Sequence, residues 1–326
     1  MSHCIDMSRG AFVDAPAWWD HDSAKVVEHF PGMTLRDLAE KGNMLHRINK
    51  VPAEVTIWTP EGSRTVEVPN QHHLVRSDDQ RVVSPSTVTD RYGVMEPELI
   101  VNQLDVYVNA GFARPDACFS LYEGQSDVFT LRMLDAAGPL GENWRLYFVV
   151  QDFHGGMGAC RGKVTGIRVV CNNTATAAFG AGADWRVRHG SQASLDLVLA
   201  MQEWEEATAA IERFNAAAER MARSKVQIPA TVDILLGLNE KEKKVTPQLQ
   251  AKRDDLIARA DDPDNGTVGE SLWDVYNAVT SFNTHNDSGK GAKTAMGRFV
   301  GSLNGSRYNF ERKAFETLVA LIPDGI

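Results

Sequence analysis

The stretch from Asn143 to Asn173 constrains the fold more than any other part of the chain. It reads as two strand-like runs, Trp144 to Asp152 and Ala159 to Cys171, joined by the glycine turn His154-Gly155-Gly156-Met157-Gly158. In the first run Trp144, Leu146, Phe148 and Val150 share one face, and Arg145, Tyr147, Val149 and Gln151 share the other, because successive strand side chains point to opposite sides. Glycines that accept positive φ close such a hairpin. A further strand-like stretch, Ala117 to Leu134, itself divisible in two, precedes them. The period then changes. From Gln192 to Lys225, Leu197, Met201, Trp204, Thr208, Ile211, Phe214, Ala218 and Met221 recur every three or four residues, the mark of one buried stripe on a long helix. The expected fold is therefore α+β: an antiparallel β-sheet with a β-β-β-α core, backed by a long amphipathic helix. A helix of ~30 residues is ~45 Å long. A small sheet does not cover that length, so part of it is expected against the C-terminal region or another subunit.

The remaining segments are read more coarsely. Residues 1–50 form an irregular lead-in with one helix, for which Thr34 is the N-cap and Leu35, Leu38 and Ala39 the apolar positions. Residues 51–230 form the α+β core. Ala53 to Val68 reads as a β-hairpin turning at Pro60-Glu61-Gly62, and His72 to Ser84 continues in strand-like fashion. Pro97 to Ala110 reads as a helix with Leu99, Ile100, Leu104, Val106 and Val108 apolar, and with Glu96 and Glu98 at its positive end. Residues 231–326 are expected to be mostly helical, interrupted by Asn286 to Gly291. The charged stretch 239–266, ending in Asp261-Asp262-Pro263-Asp264-Asn265-Gly266, suggests a linker near 261–268.

With 326 residues and 43% hydrophobic content, the chain can bury a full core. Its longest apolar runs are too short to span a bilayer, and Met1 to Phe12 lacks the apolar centre of a secretory signal. Cys4, Cys118, Cys160 and Cys171 form no Cys-x-x-Cys pair, which suits reduced thiols in the cytoplasm. The net charge of −9 argues against nucleic acid as a partner, but its distribution does not. Between Gly158 and Gly190, Arg161, Lys163, Arg168, Arg186 and Arg188 stand against Asp184 alone. Between Asn286 and Lys313, Lys290, Lys293, Arg298, Arg307, Arg312 and Lys313 stand against Asp287 and Glu311. The chain is acidic with two basic islands.

No catalytic constellation emerges from spacing. The glycine turn lacks the Gly-x-Ser-x-Gly elbow that an esterase oxyanion loop would need, and there is no Gly-x-x-x-x-Gly-Lys-Ser/Thr phosphate loop. The nine histidines give neither a His-Glu-x-x-His helix nor a compact zinc spacing. His72 and His73 would point to opposite faces of a strand, and His285 suits a surface or capping role. No catalytic residue, metal site or cofactor is therefore expected. A hydrolase built on His154, Asp152 and His285 remains a remote alternative.

The sheet offers more. Arg161, Lys163 and Thr165 share a face, as do Thr130 and Arg132. If the polar faces align, Arg132, Arg145, Tyr147, Arg161 and Lys163 form a basic surface with an aromatic ring in it. Cations that meet phosphates and rings that stack on bases suit single-stranded nucleic acid. A merely solvated outer face carries the same pattern. Arg168, Arg186 and Arg188 complete the candidate nucleic-acid-binding set. Arg168 is read alternatively as a structural cation paired near Cys171-Asn172. Trp144 is a second stacking candidate, although it shares its face with Leu146 and Phe148 and so reads as core.

Several stretches resemble the phage- and plasmid-borne family catalogued as domain of unknown function 932. They are Leu74-Val75-Arg76-Ser77-Asp78, Tyr92-Gly93-Val94, Phe153-His154-Gly155-Gly156 and Gly166-Ile167-Arg168-Val169-Val170-Cys171-Asn172-Asn173-Thr174. Trp273, Tyr276-Asn277-Ala278-Val279-Thr280 and His285 follow. Pro16-Ala17-Trp18-Trp19-Asp20 echoes its N-terminal element. The resemblance implies a mobile-element origin and carries no established activity. The order β-β-β-α also resembles single-strand annealing proteins of the RecT and Redβ type. Together these imply single-stranded DNA binding and strand annealing in phage recombination, inside the host cytoplasm and away from membranes. The expected partners are single-stranded DNA, further copies in a ring or filament, and a phage exonuclease or host single-strand-binding protein. A protein-interaction module of a mobile element, one that counters host defence, is the competing expectation.

Overall fold

A computed structural model of the chain describes residues 5–13, 25–134, 140, 144–154, 158–168, 174–175, 184–200, 204–239, 245–265, 269–286, 301 and 305–323. The lead-in is more ordered than expected. It holds β1 (Ile5–Val13), β2 (Lys25–Val27) and α1 (Leu35–Lys41). β1 joins the main sheet antiparallel to β5 (Ala113–Leu121), and β2 runs parallel beside β1. The sequence missed β1 because Arg9 and Gly10 break its apolar run. Its Ala11, Phe12 and Val13 are nevertheless buried. α1 starts as its sequence predicts. Thr34 and Asp37 form a reciprocal capping box, and the carboxylate of Asp105 accepts from the first two free amides, Leu35 N and Arg36 N.

A two-stranded ribbon follows, β3 (Ile48–Thr59) and β4 (Gly62–Arg76), turning at Pro60-Glu61. Most of the ribbon is exposed on both faces, and Trp58 near its tip is 80% exposed. α2 (Pro97–Asn109) buries Ile100, Val101, Leu104 and Tyr107. Val106, expected on the apolar side, is exposed, because helical geometry brings positions 100, 104 and 107 to one face and turns 106 away.

The main sheet has eight described strands in the order β10-β8-β7-β6-β5-β1-β2, with β9 (Thr174–Ala175) also on β8. The expected meander is present as β5, β6 (Ser126–Met133), β7 (Trp144–Phe153) and β8 (Cys160–Arg168), each antiparallel to the next. β10 (Asp184–Val187) adds an edge strand. One face of this α+β fold carries Phe129, Leu131, Leu146, Phe148, Val150 and Val164 into the core.

Behind that face lie α3 (Ala193–Ala200) and α4 (Trp204–Arg223). Part of the expected stripe is observed over Ile211, Phe214, Ala218 and Met221, all buried, whereas Thr208, expected on it, is exposed. Residues 201–203 and the side chains of Leu197, Met201 and Trp204 lie outside the described residues. Phe214 packs on Trp144 and on Trp273, Tyr276 and Phe315. The helices α7 (Leu272–His285) and α8 (Ser306–Ala320) therefore cover the part of α4 that the sheet does not. α5 (Ile228–Leu236) and α6 (Pro247–Ala260) complete the layer. α6 occupies much of the charged stretch expected to link two regions. It is an ordered helix that buries Leu256 and Ala260 and pairs Arg253 with Asp233 on α5. The main apolar cluster runs from Ala11 on β1 to Ile322 beyond α8. Among the described residues no helix is long and apolar enough to cross a membrane.

Candidate functional site

Two regions of the main sheet concentrate charge. On the face opposite the apolar core, strand register lines up rows of residues. Arg114 pairs with Arg132, Arg132 with Tyr147, and Tyr147 with Thr165. A second row runs Thr130, Val149, Lys163, Asp184, and a third runs Gln151, Arg161, Arg186. The register thus brings Arg132, Tyr147, Arg161, Lys163 and Arg186 to one side of the sheet.

Exposure differs along these rows. Arg132, Arg145 and Arg161 are half-buried, and Arg186 and Arg188 are exposed. Tyr147 is only 3% exposed and Lys163 only 5%, where the sequence places both on an open surface. Alternation assigns a face but not what covers it. The Lys163 ammonium sits 3.5 Å from the ring centre of Tyr308 on α8, a contact between segments far apart in the chain. The buried Tyr147 ring cannot serve as a platform for a base, and burial drives its hydroxyl pKa upward. Trp144 is core, packed on Phe214 and Trp273. Arg168 pairs with Trp144 in the ladder, and its side chain lies outside the described residues, as do Asn172 and Asn173.

A bulge in β5 between Pro115 and Ala117 adds a residue that no sequence pattern singles out. Asp116 is buried there and accepts from Thr130 Oγ1 at 3.1 Å. Burial raises its carboxyl pKa to about 7, against the opposing pull of Thr130, Arg114, Arg132 and Arg145. Three guanidiniums thus gather about one carboxyl. Burial and the neighbouring Arg114 lower the pKa of Arg132. Phe112, 47% exposed, lies one step beyond this row and accepts at its carbonyl from Leu134 N.

The second region lies at the far end of the core face. Ser120, Asp127 and Asp152 stand side by side on β5, β6 and β7, and all three are fully buried. Asp127 accepts from Ser120 Oγ at 2.7 Å and from His154 Nε2 at 3.0 Å. His46 Nε2 lies 3.2 Å from the same Oδ2. Asp152 faces His154 Nδ1 and His189 Nε2, each at 3.2 Å. Burial opposes charge on His154, but its hydrogen bond to Asp127 and the two carboxylates outweigh it and raise its pKa to about 9. The same contacts overcome burial at Asp127 and hold its carboxyl well below the ordinary carboxylate range. Burial, then Asp152, pushes the Cys160 thiol upward.

Segments far apart in the chain converge on this network. Gly93 N donates to His189 O at 3.1 Å, and His189 Nδ1 donates to Gly93 O at 3.1 Å. Tyr92 stacks on His189 with ring centres 4.7 Å apart, and its hydroxyl reaches Phe153 O. A Cβ on Gly93 would come within 1.9 Å of the Gly190 carbonyl, so only glycine fits this approach. Arg76 is fully buried with Asp78 and Asp79 beside it. Its guanidinium packs on Gly124, next to Gln125, whose carbonyl accepts from His154 N at 2.8 Å. The stretches around Arg76, Tyr92 and His154 are separate motifs in the sequence and neighbours in space.

A family model, Domain of unknown function (DUF932), matches residues 85–306, more than half of the chain. The chain belongs to this family. Its DUF932 region contributes Tyr92, Asp127, Asp152, His154 and His189 to the buried network, while His46 and Arg76 come from the segment before it. No curated protein and no solved structure matches the chain.

The sequence placed His154 and Asp152 in a remote hydrolytic alternative with His285. The first two do meet, but they are buried, whereas His285 is exposed on the last turn of α7. His46, Asp127 and His189 were missed. They come from different segments, and no short-range spacing announces them.

Proposed function

We propose that this DUF932 protein binds single-stranded DNA on the polar face of its main sheet and promotes annealing of complementary strands, with no covalent step. The observation that carries the reading is the gathering of Arg114, Arg132 and Arg145 around Asp116. Three cations and one carboxyl leave an excess of positive charge at a half-buried spot, which suits phosphate oxygens. Arg161, Arg186 and Arg188 continue the charge towards the β10 edge. Phe112 supplies the exposed ring that Tyr147 does not, and base–aromatic stacking tolerates any sequence. On this reading the protein works in the cytoplasm, as several copies along one strand.

Binding of a fluorescent oligonucleotide at ~50 and ~200 mM salt tests the proposal, since contact with several phosphates makes affinity fall by orders of magnitude over that range. No binding at low salt would sink it.

A second reading, a protein-interaction module, draws on the ribbon. Val51, Val55, Ile57 and Trp58 are exposed on β3, and apolar surface of this kind marks contact sites. A ribbon-dependent complex in a variant that has lost DNA binding would favour it.

A further inference from the structure

We propose that His46, Asp127 and His154 hold a divalent transition-metal ion of the zinc class in a buried site, with the fourth position of a tetrahedral ion left to a water molecule. One ligand atom from each residue lies within 4.8 Å of the others, and all three residues are buried. Both histidine Nε2 atoms face the same oxygen, Asp127 Oδ2, at 3.0 Å and 3.2 Å. Ligands of a tetrahedral ion with bonds near ~2.0 Å lie ~3.3 Å apart. The two histidine–aspartate separations are already near that spacing.

The surrounding groups are arranged as the outer partners of ligands usually are. Asp152 Oδ2 stands 3.2 Å from His154 Nδ1, the carboxylate–histidine pairing that orients a ring and leaves its Nε2 for the ion. Ser120 Oγ donates to Asp127 Oδ1 at 2.7 Å, which fixes that carboxylate and leaves Oδ2 for the ion. Glu96 stands close enough to both histidines to interact with them electrostatically. It adds an anion to the surround of a divalent cation.

His46 supplies an independent observation. It is only 4% exposed, and neither ring nitrogen makes a hydrogen bond. A buried imidazole nitrogen without an aligned hydrogen bond is costly, and the Nε2 of this one faces Asp127 Oδ2 at 3.2 Å without making one. Coordination would give that nitrogen a partner and replace the proton that Asp127 now shares with His154. Two imidazoles and one carboxylate suit zinc or a similar first-row ion better than magnesium or calcium, which prefer oxygen ligands throughout.

The position explains why an ion would be useful. His46 lies between α1 and β3, Asp127 on β6, and His154 just past β7. One ion would tie the segment preceding the family region to the middle of the main sheet. Because the three residues are buried, the ion would act as a structural clamp rather than a hydrolytic centre.

The test uses the full chain, stripped with a chelator under native conditions and dialysed. Added Co2+ is expected to give the intense visible bands of a four-coordinate site. Added Zn2+ is expected to be retained at one equivalent and to raise the melting temperature. X-ray absorption of the zinc-loaded protein should show nitrogen and oxygen at ~2.0 Å, with imidazole scattering. His46→Gln should lose at least ten-fold in zinc affinity, whereas His285→Gln should bind as the parent does. A stripped protein that takes up no cobalt and melts at the same temperature with and without zinc would overturn the proposal. So would a zinc shell containing sulfur at ~2.3 Å, which would move the site to a cysteine. Both of these measurements use the unmutated chain, so they decide the matter even if His46→Gln folds poorly.

Discussion

His154 Nε2 donates to Asp127 Oδ2 at 3.0 Å across the end of the main sheet, with both side chains withdrawn from solvent. A buried imidazolium depends on that carboxylate. Asp127→Ala removes the acceptor for His154 and Ser120 together and leaves the buried cation without its closest carboxylate. Stability should fall by about 3–5 kcal/mol, the cost of breaking one side of a buried ion pair. Asp127→Asn keeps an acceptor oxygen and should lose less. Urea midpoints of the two variants check the order, and a loss in Asp127→Ala below about 1 kcal/mol would show the network to be dispensable.

Gly93 holds His189 by close approach rather than by positive φ. Gly93→Ala puts a methyl group onto the Gly190 carbonyl, and the backbones must part. A cost of about 1–3 kcal/mol is expected from such overpacking. Calorimetry should show a lower melting temperature. The tyrosine environment at Tyr92 should change with it, because Tyr92 stacks on the histidine that moves.

Phosphate contact at the arginine cluster predicts a specific salt effect. Arg132→Gln with Arg145→Gln removes two cations from half-exposed positions. Affinity for an oligonucleotide should drop, and the slope of log affinity against log salt should decrease by roughly 1–2. An unchanged slope would place DNA elsewhere on the molecule.

Asp116 adds a pH dependence. Its folded-state pKa is raised from 3.8 to about 7, so the native state binds the extra proton. The sign follows directly. The protonated carboxyl is favoured in the fold, and stability declines as pH rises from the unfolded value through about 7. Below that pH the cluster loses its one anion and attracts phosphate more strongly. Oligonucleotide affinity should therefore rise several-fold between pH 8 and pH 6, by roughly the effect of one added charge. Asp116→Asn should bind equally well at both. A parent protein with no pH dependence would show that Asp116 does not touch the binding surface electrostatically.

Two tryptophans separate surface from core. Trp58→Ala, at the open ribbon, should change stability by no more than about 0.5 kcal/mol. Trp273→Ala removes a fully buried ring packed on Trp144, Phe214 and Tyr276, and should cost about 3–5 kcal/mol. Denaturant titration distinguishes them.

Much of the local chemistry was legible. The N-cap at Thr34, Pro97 at the start of α2, the turn at Pro60-Glu61 and the alternation along β7 depend on neighbours within four residues, and the chain spells them out. The stripe on α4 was equally plain, because a helix repeats its face every 3.6 residues. The face shared by Arg132, Arg161 and Lys163 also followed from strand alternation. β1 and the helix in the charged stretch, α6, were not legible. β1 lacks a clean alternation, and α6 buries only a narrow edge among charged residues.

Alternation and spacing determined which side of a strand or helix each residue takes. They did not determine what lies against that side. Tyr147 and Lys163 occupy the expected polar face but are buried there, and Tyr308 reaches Lys163 only after some 140 further residues of chain. The histidines and aspartates show the same division more sharply. His46, Asp127, Asp152, His154 and His189 carry no spacing signal, because β6, β7 and the loops bearing the histidines reach one spot only when the sheet is assembled. The sequence by itself determined the elements and their faces, through interactions between near neighbours. Tertiary structure alone decided the buried network and the exposed part of the basic face, through contacts between residues that only folding brings together.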